Sequence, residues 1–212
     1  MTTPTELIKA VSEATGLSVP TVFDLDRRLV KGNLRPVGGR GHNAARMGPL
    51  EVARLLTAVL ASPQSNAAAE AVVRYEYTRP DKARSSDALY RESGLDNLAA
   101  LPARHGFVEA LAALVASSAT GSLQNLIASP KQMPRIEVFA FTRATHGRIR
   151  ISGLPGGLTV SVEYIPVRTG EESPRSKRTG KISIDQAGDL EQSRRITERT
   201  ILSVAKLLAE EK

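Results

Sequence analysis

Between Arg27 and Arg46 the sequence sets Arg27, Arg28, Lys31, Arg35, Arg40 and Arg46, with His42 among them, and the acids of this stretch, Asp24 and Asp26, stand at its start. Guanidinium groups match phosphate oxygens and guanine edges with two parallel hydrogen bonds, so the chemistry of such a run is to hold a polyanion. Arg40 sits between glycines in "GGRGHNAAR", where a backbone without side chains can come close to a phosphate or enter a groove. The chain as a whole leans the same way. Lys and Arg number 29 against 22 Asp and Glu, a formal net charge of +7, and the pI is about 10.0. That balance favours a polyanionic partner.

Groups able to make or break bonds are sparse. There is no cysteine, which removes disulfides, thiolate metal sites and cysteine nucleophiles and suits a reducing compartment. The three histidines, His42, His105 and His146, stand apart in sequence, and none pairs with another at a metal-binding spacing. "GLPGG", Gly153 to Gly157, lies between two alternating segments with no helix after it, so it reads as a hairpin turn and not as a phosphate cradle. The expectation is a non-enzyme with no cofactor and no metal.

The elements that must position the basic run follow from hydrophobic period. Residues 1–62 read as helices around one loop. "ELIKAVSEATG" places Leu7, Ile8 and Val11 on one face with Thr3 or Thr5 as cap, and "SVPTVFDLDRRLVKG" turns Val22, Leu25, Leu29 and Val30 inward and stops at Gly32. "PLEVARLLTAVLAS" repeats the pattern at Leu50, Val52, Leu55, Leu56, Val59 and Leu60 behind Pro49. Residues 63–134 are Ala-rich and predict a helical connecting region, with helices in "NAAAEAVVRYEY" and "HGFVEALAALVASS", shorter ones in "SSDALYRES" and "LDNLAALPA", and connectors in "TRPDKARSS" and "ASPKQMPR". In residues 135–212 the period becomes two. "GRIRIS", "LTVSVEYIP" and "KISID" alternate, while "RIEVFAF" is apolar on both sides and suits a central strand. "RTGEESPRSKRTG" reads as a long polar loop. "DLEQSRRITERTILSVAKLLAEEK" reads as a long helix whose Ile201, Val204, Leu207 and Leu208 cover the sheet. The fold class expected is α+β: an N-terminal helical domain, possessing a wing if the basic loop forms one, then a helical middle. An antiparallel sheet of about four strands and a long C-terminal helix complete it.

One short segment adds detail. In "SEATGLSVPTVFDL", Ser12 is the small residue at a helix crossing, Gly16 follows four positions later for the turn, Leu17 plugs it, Ser18 caps the next helix, and Val22 packs inward. With its core Gly16-Leu17-Ser18-Val19-Pro20-Thr21-Val22, the segment resembles the helix-turn-helix of bacterial transcriptional regulators, and the resemblance is limited to residues 5–46. It implies that the second helix enters DNA and touches bases from its first, second and sixth positions. Here these are Val19, Pro20 and Asp24, none of which is a strong donor to purine edges, and Asp24 would repel phosphate unless it accepts from a cytosine amino group. Ser18, Thr21, Arg27, Arg28, Lys31, Arg35, Arg40, His42 and Arg46 would then hold the backbone. Discrimination would come from Val19, Pro20 or Phe23 against a thymine methyl, from Arg40 in a groove, or from DNA shape.

The function expected is a sequence-selective DNA-binding protein of transcription-regulator type, acting on double-stranded DNA. A homodimer or higher homo-oligomer is expected, since pairing two modest sites multiplies affinity. Two alternatives use the same segment: a phage or mobile-element DNA-packaging protein, and a protein-interaction module without DNA. No apolar stretch is long enough to cross a bilayer and the start lacks a signal-peptide pattern, so the expected location is cytoplasmic with no membrane partner. Arg148 and Arg150 face the wet side of a strand, and Arg175, Lys177, Arg178 and Lys181 follow in and after the long loop. They could add phosphate contacts.

Overall fold

The computed structural model describes residues 2–37, 45–62, 65–86, 88–128, 134–141, 145–167 and 192–209. The first helix, α1 (Pro4–Thr15), begins where Thr3 and Glu6 cap each other reciprocally and Pro4 presets the first turn. It ends at Gly16, whose left-handed φ of 74° closes the turn. Then come α2 (Val19–Lys31), α3 (Pro49–Ala61), α4 (Ala68–Glu76), β1 (Thr78–Pro80), α5 (Asp96–Ala99), α6 (Phe107–Ala119) and α7 (Ser122–Ile127). The chain closes with β2 (Arg135–Phe141), β3 (Gly147–Ser152), β4 (Val160–Pro166), β5 (Ser193–Thr197) and α8 (Glu198–Ala209).

All strand pairings are antiparallel, in the order β1-β4-β3-β2-β5. The expected α+β class is met, with a strand count above the four anticipated. Two strands come from segments read otherwise. β1 occupies the start of the "TRPDKARSS" connector, where buried Thr78 donates to the Tyr75 carbonyl at 2.7 Å and the strand pairs with β4. A three-residue edge strand ending in Pro leaves no periodic trace. β5 takes Ser193–Thr197 out of the predicted C-terminal helix, because the free edge of β2 takes up its backbone. "RIEVFAF" is β2 and has a neighbour on each side. "SSDALYRES" forms no helix among its described residues; Leu89 there adopts a left-handed φ of 49°. "KISID" and "RTGEESPRSKRTG" lie outside the described residues.

One hydrophobic core runs through all three sequence segments. Its centre is α3, apolar nearly all the way round: Val52, Ala53, Leu55, Leu56, Ala58 and Leu60 are each fully buried. Leu50, expected in this stripe, is exposed instead. α3 packs on α6, α4 and α2 and on β2 and β5 of the sheet. Beside it, α8 leans on α6 and α1 as well as on β2 and β5, burying Thr200, Ile201, Val204 and Ala205 while Leu207 and Leu208 are only partly covered. Arg194 ties β5 to the end of α3 by donating to the carbonyls of Val59 and Ser62 at 2.9 and 3.2 Å. Under β3 the fit is close. A side chain at Gly147 would stand 2.6 Å from the Phe107 ring and 3.1 Å from Tyr75.

His105, at the approach to α6, is fully buried in a chain of three hydrogen bonds. The Pro102 carbonyl can only accept, so Nδ1 donates to it at 2.6 Å and carries the proton. Nε2 is then the acceptor for the Tyr164 hydroxyl at 2.8 Å, and Tyr164 accepts from Tyr90 at 2.9 Å. Burial pushes the His105 pKa down and both tyrosines up.

Two expectations follow. Gly147→Ala overpacks the contact with Phe107 and costs about 1–3 kcal/mol in urea unfolding; an unchanged midpoint would refute the close packing. The folded state binds the His105 proton less readily than the unfolded chain, so stability declines as pH falls below the ordinary histidine value of about 6.5. His105→Gln flattens that decline, and equal slopes in parent and variant would show that His105 does not cause it.

Candidate nucleic-acid interface

The turn between α1 and α2 is built from side chains that satisfy its own backbone. Ser12 Oγ donates to the Leu17 carbonyl at 2.6 Å, and the Gly16 amide donates to the Ser12 carbonyl at 2.9 Å. Ser18 caps α2 by accepting from the Thr21 amide at 3.3 Å, as its place one residue before the helix anticipates. Val22, Leu25 and Leu29 are buried on the inner side of α2. Gly32 ends the helix against α4, so close that a side chain there would reach within 2.7 Å of the Ala69 side chain.

The opposite side of α2 faces solvent. Ser18, Val19, Pro20, Thr21, Phe23, Arg27 and Lys31 are exposed along it, with Val19 at 49% and Phe23 at 53% of full exposure. The structure therefore brings these seven expected residues onto one surface. Its apolar part lies in the first two turns and its cations lie toward the C-terminal end. Asp24 is half-exposed, and Arg28 stands 3.8 Å from its carboxylate, so this acid is partly neutralised from one turn away. Arg46 is exposed beyond the loop. Arg40 and His42 lie outside the described residues.

Arg35 has a different task from the other cations. Its guanidinium donates to Asp26 Oδ2 at 2.6 Å, with side-chain exposures of only 11% and 4%. Burial pushes the Asp26 carboxyl up, against the opposing pull of Arg35. Among the described residues, Asp26 Oδ1, Arg28 Nε and Arg35 Nε are buried without hydrogen-bond partners. Beside the pair, Arg54 donates to the Leu34 carbonyl at 2.7 Å and to Glu76 at 2.8 Å. Buried Leu34 and Met47 pin the two sides of the Gly-rich loop into the core. Asp26 was not anticipated in this role, although it stands one turn after Val22 on the inward stripe of α2 and therefore needed a cation.

The other histidines sit away from this face. His105 is in the tyrosine network, and His146, just before β3, meets Glu163 at 2.8 Å. Among the described residues, no group of three or more His, Asp or Glu is arranged to hold a metal ion, and no helix is long and apolar enough to cross a membrane.

No family model, curated protein or solved structure matches this chain. The reading of the interface therefore rests on its own geometry.

Removing one partner of a buried ion pair strands the other. Asp26→Ala should cost about 3–5 kcal/mol in chemical denaturation, and the Asp26→Leu/Arg35→Met double variant should cost less than either single change. A single-variant cost below about 1 kcal/mol, the level of a surface pair, would contradict the burial described.

Proposed function

We propose that the chain is a double-stranded DNA-binding protein of transcription-regulator type, with α2 as the element that docks in the major groove. One observation carries this reading: α2 is buried along Val22, Leu25 and Leu29 and open along Ser18–Thr21, Phe23, Arg27 and Lys31. A single helix of this kind suits the width of the major groove. Its capped N-terminal turn offers the Ser18 and Thr21 hydroxyls to a phosphate, and Arg27 and Lys31 offer charge further along. Arg46 and the loop residues Arg40 and His42 extend this stretch in sequence. Val19, Pro20 and Phe23 supply apolar contact for a thymine methyl. Arg35 is left out of the contact set, because its charge is spent on Asp26. Two copies are expected to act together on paired half-sites.

A second reading is favoured by the exposure of Val19 and Phe23 one turn apart. Such a stripe can seat in an apolar groove of another protein.

Binding of labelled duplex, followed by fluorescence anisotropy over a series of salt concentrations, separates the two. Arg27→Ala/Lys31→Ala should weaken binding to all sequences and reduce the salt slope by about two, one per lost phosphate contact. Val19→Ser/Phe23→Ser should leave the slope alone and relax preference at T-containing positions of fragments selected from random DNA. If the parent selects no fragment and binds no duplex at physiological salt, the DNA reading fails and the protein-groove reading takes its place.

A further inference from the structure

The side of the sheet away from the core carries a second surface, independent of α2. The helices that touch the sheet lie on its buried side, and among the described residues none packs on the other. The register puts Arg195, Phe139, Arg148 and Glu163 in one row across β5, β2, β3 and β4, and Thr197, Glu137, Arg150 and Ser161 in the next. The Arg148 guanidinium stands over the Phe139 ring, 4.6 Å from its centre, and Arg195 flanks the same ring at 6.0 Å. One row up, His146 stacks on Phe141 at 4.7 Å and 9°.

This use of aromatic side chains is selective. The chain has four phenylalanines, of which Phe107 is in the core. Phe139 and Phe141 stand on this outer face and Phe23 on the outer side of α2. Aromatic rings spent outside the core of an aromatic-poor protein mark surfaces built for contact.

We infer that the outer face of the sheet binds single-stranded nucleic acid by stacking its bases on the arginine and His146 planes that Phe139 and Phe141 back. The charge pattern selects this partner. Glu137 is shared by Arg195 at 2.6 Å and Arg150 at 4.0 Å. Glu163 is shared by His146 at 2.8 Å and Arg148 at 3.8 Å. In these two rows three arginines against two glutamates leave one positive charge, and exposed Arg135 at the start of β2 adds a second, still too little to hold an acidic peptide by charge alone. What the face offers in excess is flat π and guanidinium surface, held in place by those carboxylates, and every base has a π-face to match. Arg195 and Arg150 keep 55% and 47% of their side chains exposed and can turn to phosphates between the stacked bases. A duplex hides its base faces, and its grooves admit a helix or a two-stranded ribbon, not a five-stranded face.

The test uses the full chain and a labelled oligothymidylate of about 15 nucleotides, within the range that one β-domain face covers. The expected results are binding with a shallow salt slope, and binding at least about tenfold weaker for an abasic strand of equal length. Arg150→Gln/Arg195→Gln and, separately, Phe139→Leu should each weaken oligothymidylate at least about fivefold while duplex binding stays unchanged. Both arginines are surface residues, so that variant is expected to fold, which circular dichroism and thermal melting verify. Arg27→Ala/Lys31→Ala should leave oligothymidylate binding intact, so failure of the α2 reading and failure of this one are distinguishable. No binding by the parent, equal binding of the abasic strand, indifference to the sheet variants, loss with the α2 variant, or equally tight binding of polyglutamate would each overturn the assignment.

Discussion

The constraint behind this architecture is that α3 shows water only a narrow strip, Leu50, Glu51 and Arg54. A helix apolar around most of its circumference must be enclosed, and one sheet or one helix layer covers only part of it. The sheet closes one side through β2 and β5, and α6, α4 and α2 close the rest. α2, α4 and the sheet are amphipathic, so the same burial that hides α3 decides which way they face. α2 turns Val22, Leu25 and Leu29 inward, and its outer surface follows as the remainder. The sheet obeys the same rule. Its covered face takes Ile136, Val138, Ile149, Ile151, Val160 and Val162, and alternation then places Phe139, Arg148 and Arg195 outside.

Much of this was legible where the determinant is local. The reciprocal Thr3–Glu6 cap, the left-handed Gly16, the Ser18 cap and the stop at Gly32 each act within a few residues, and the sequence there reads the way the chain folds. The alternating runs of β3 and β4 were equally plain. What escaped was set by partners distant in sequence. "SRRIT" carries enough helical pattern to join α8, and only the unpaired edge of β2 draws it into the sheet. β1 is too short to show a period. The basic run looked uniform because sequence counts charges and cannot count their partners. Arg35 lies nine residues from the buried Asp26 that consumes it, whereas Arg27 has nothing comparable among the described residues and stays exposed.

The two outer surfaces make different use of similar residues. On α2 the charged end holds Arg27 and Lys31 with little acid nearby, which suits attraction that weakens with salt. On the sheet, carboxylates lie beside the arginines while Arg148 and Arg195 stand over the Phe139 ring, which trades net charge for orientation. Guanidinium over a ring in this manner is worth about 0.5–1 kcal/mol at an exposed site, enough to bias a rotamer and too little to organise a fold. Order on the outer face therefore derives from the strands beneath it.

Thr2 donates its hydroxyl to the carbonyl of Leu207 at 2.8 Å across 205 positions of sequence, and α1 packs along α8. Local as α1 and α2 look, the apolar stripe of α1 finds this cover only once α8 has been synthesised. At ribosomal rates of about 5–20 residues per second, that stripe waits roughly ten to forty seconds for it. α1 is thus sealed long after it is made, and its cover reports that α8 has been synthesised.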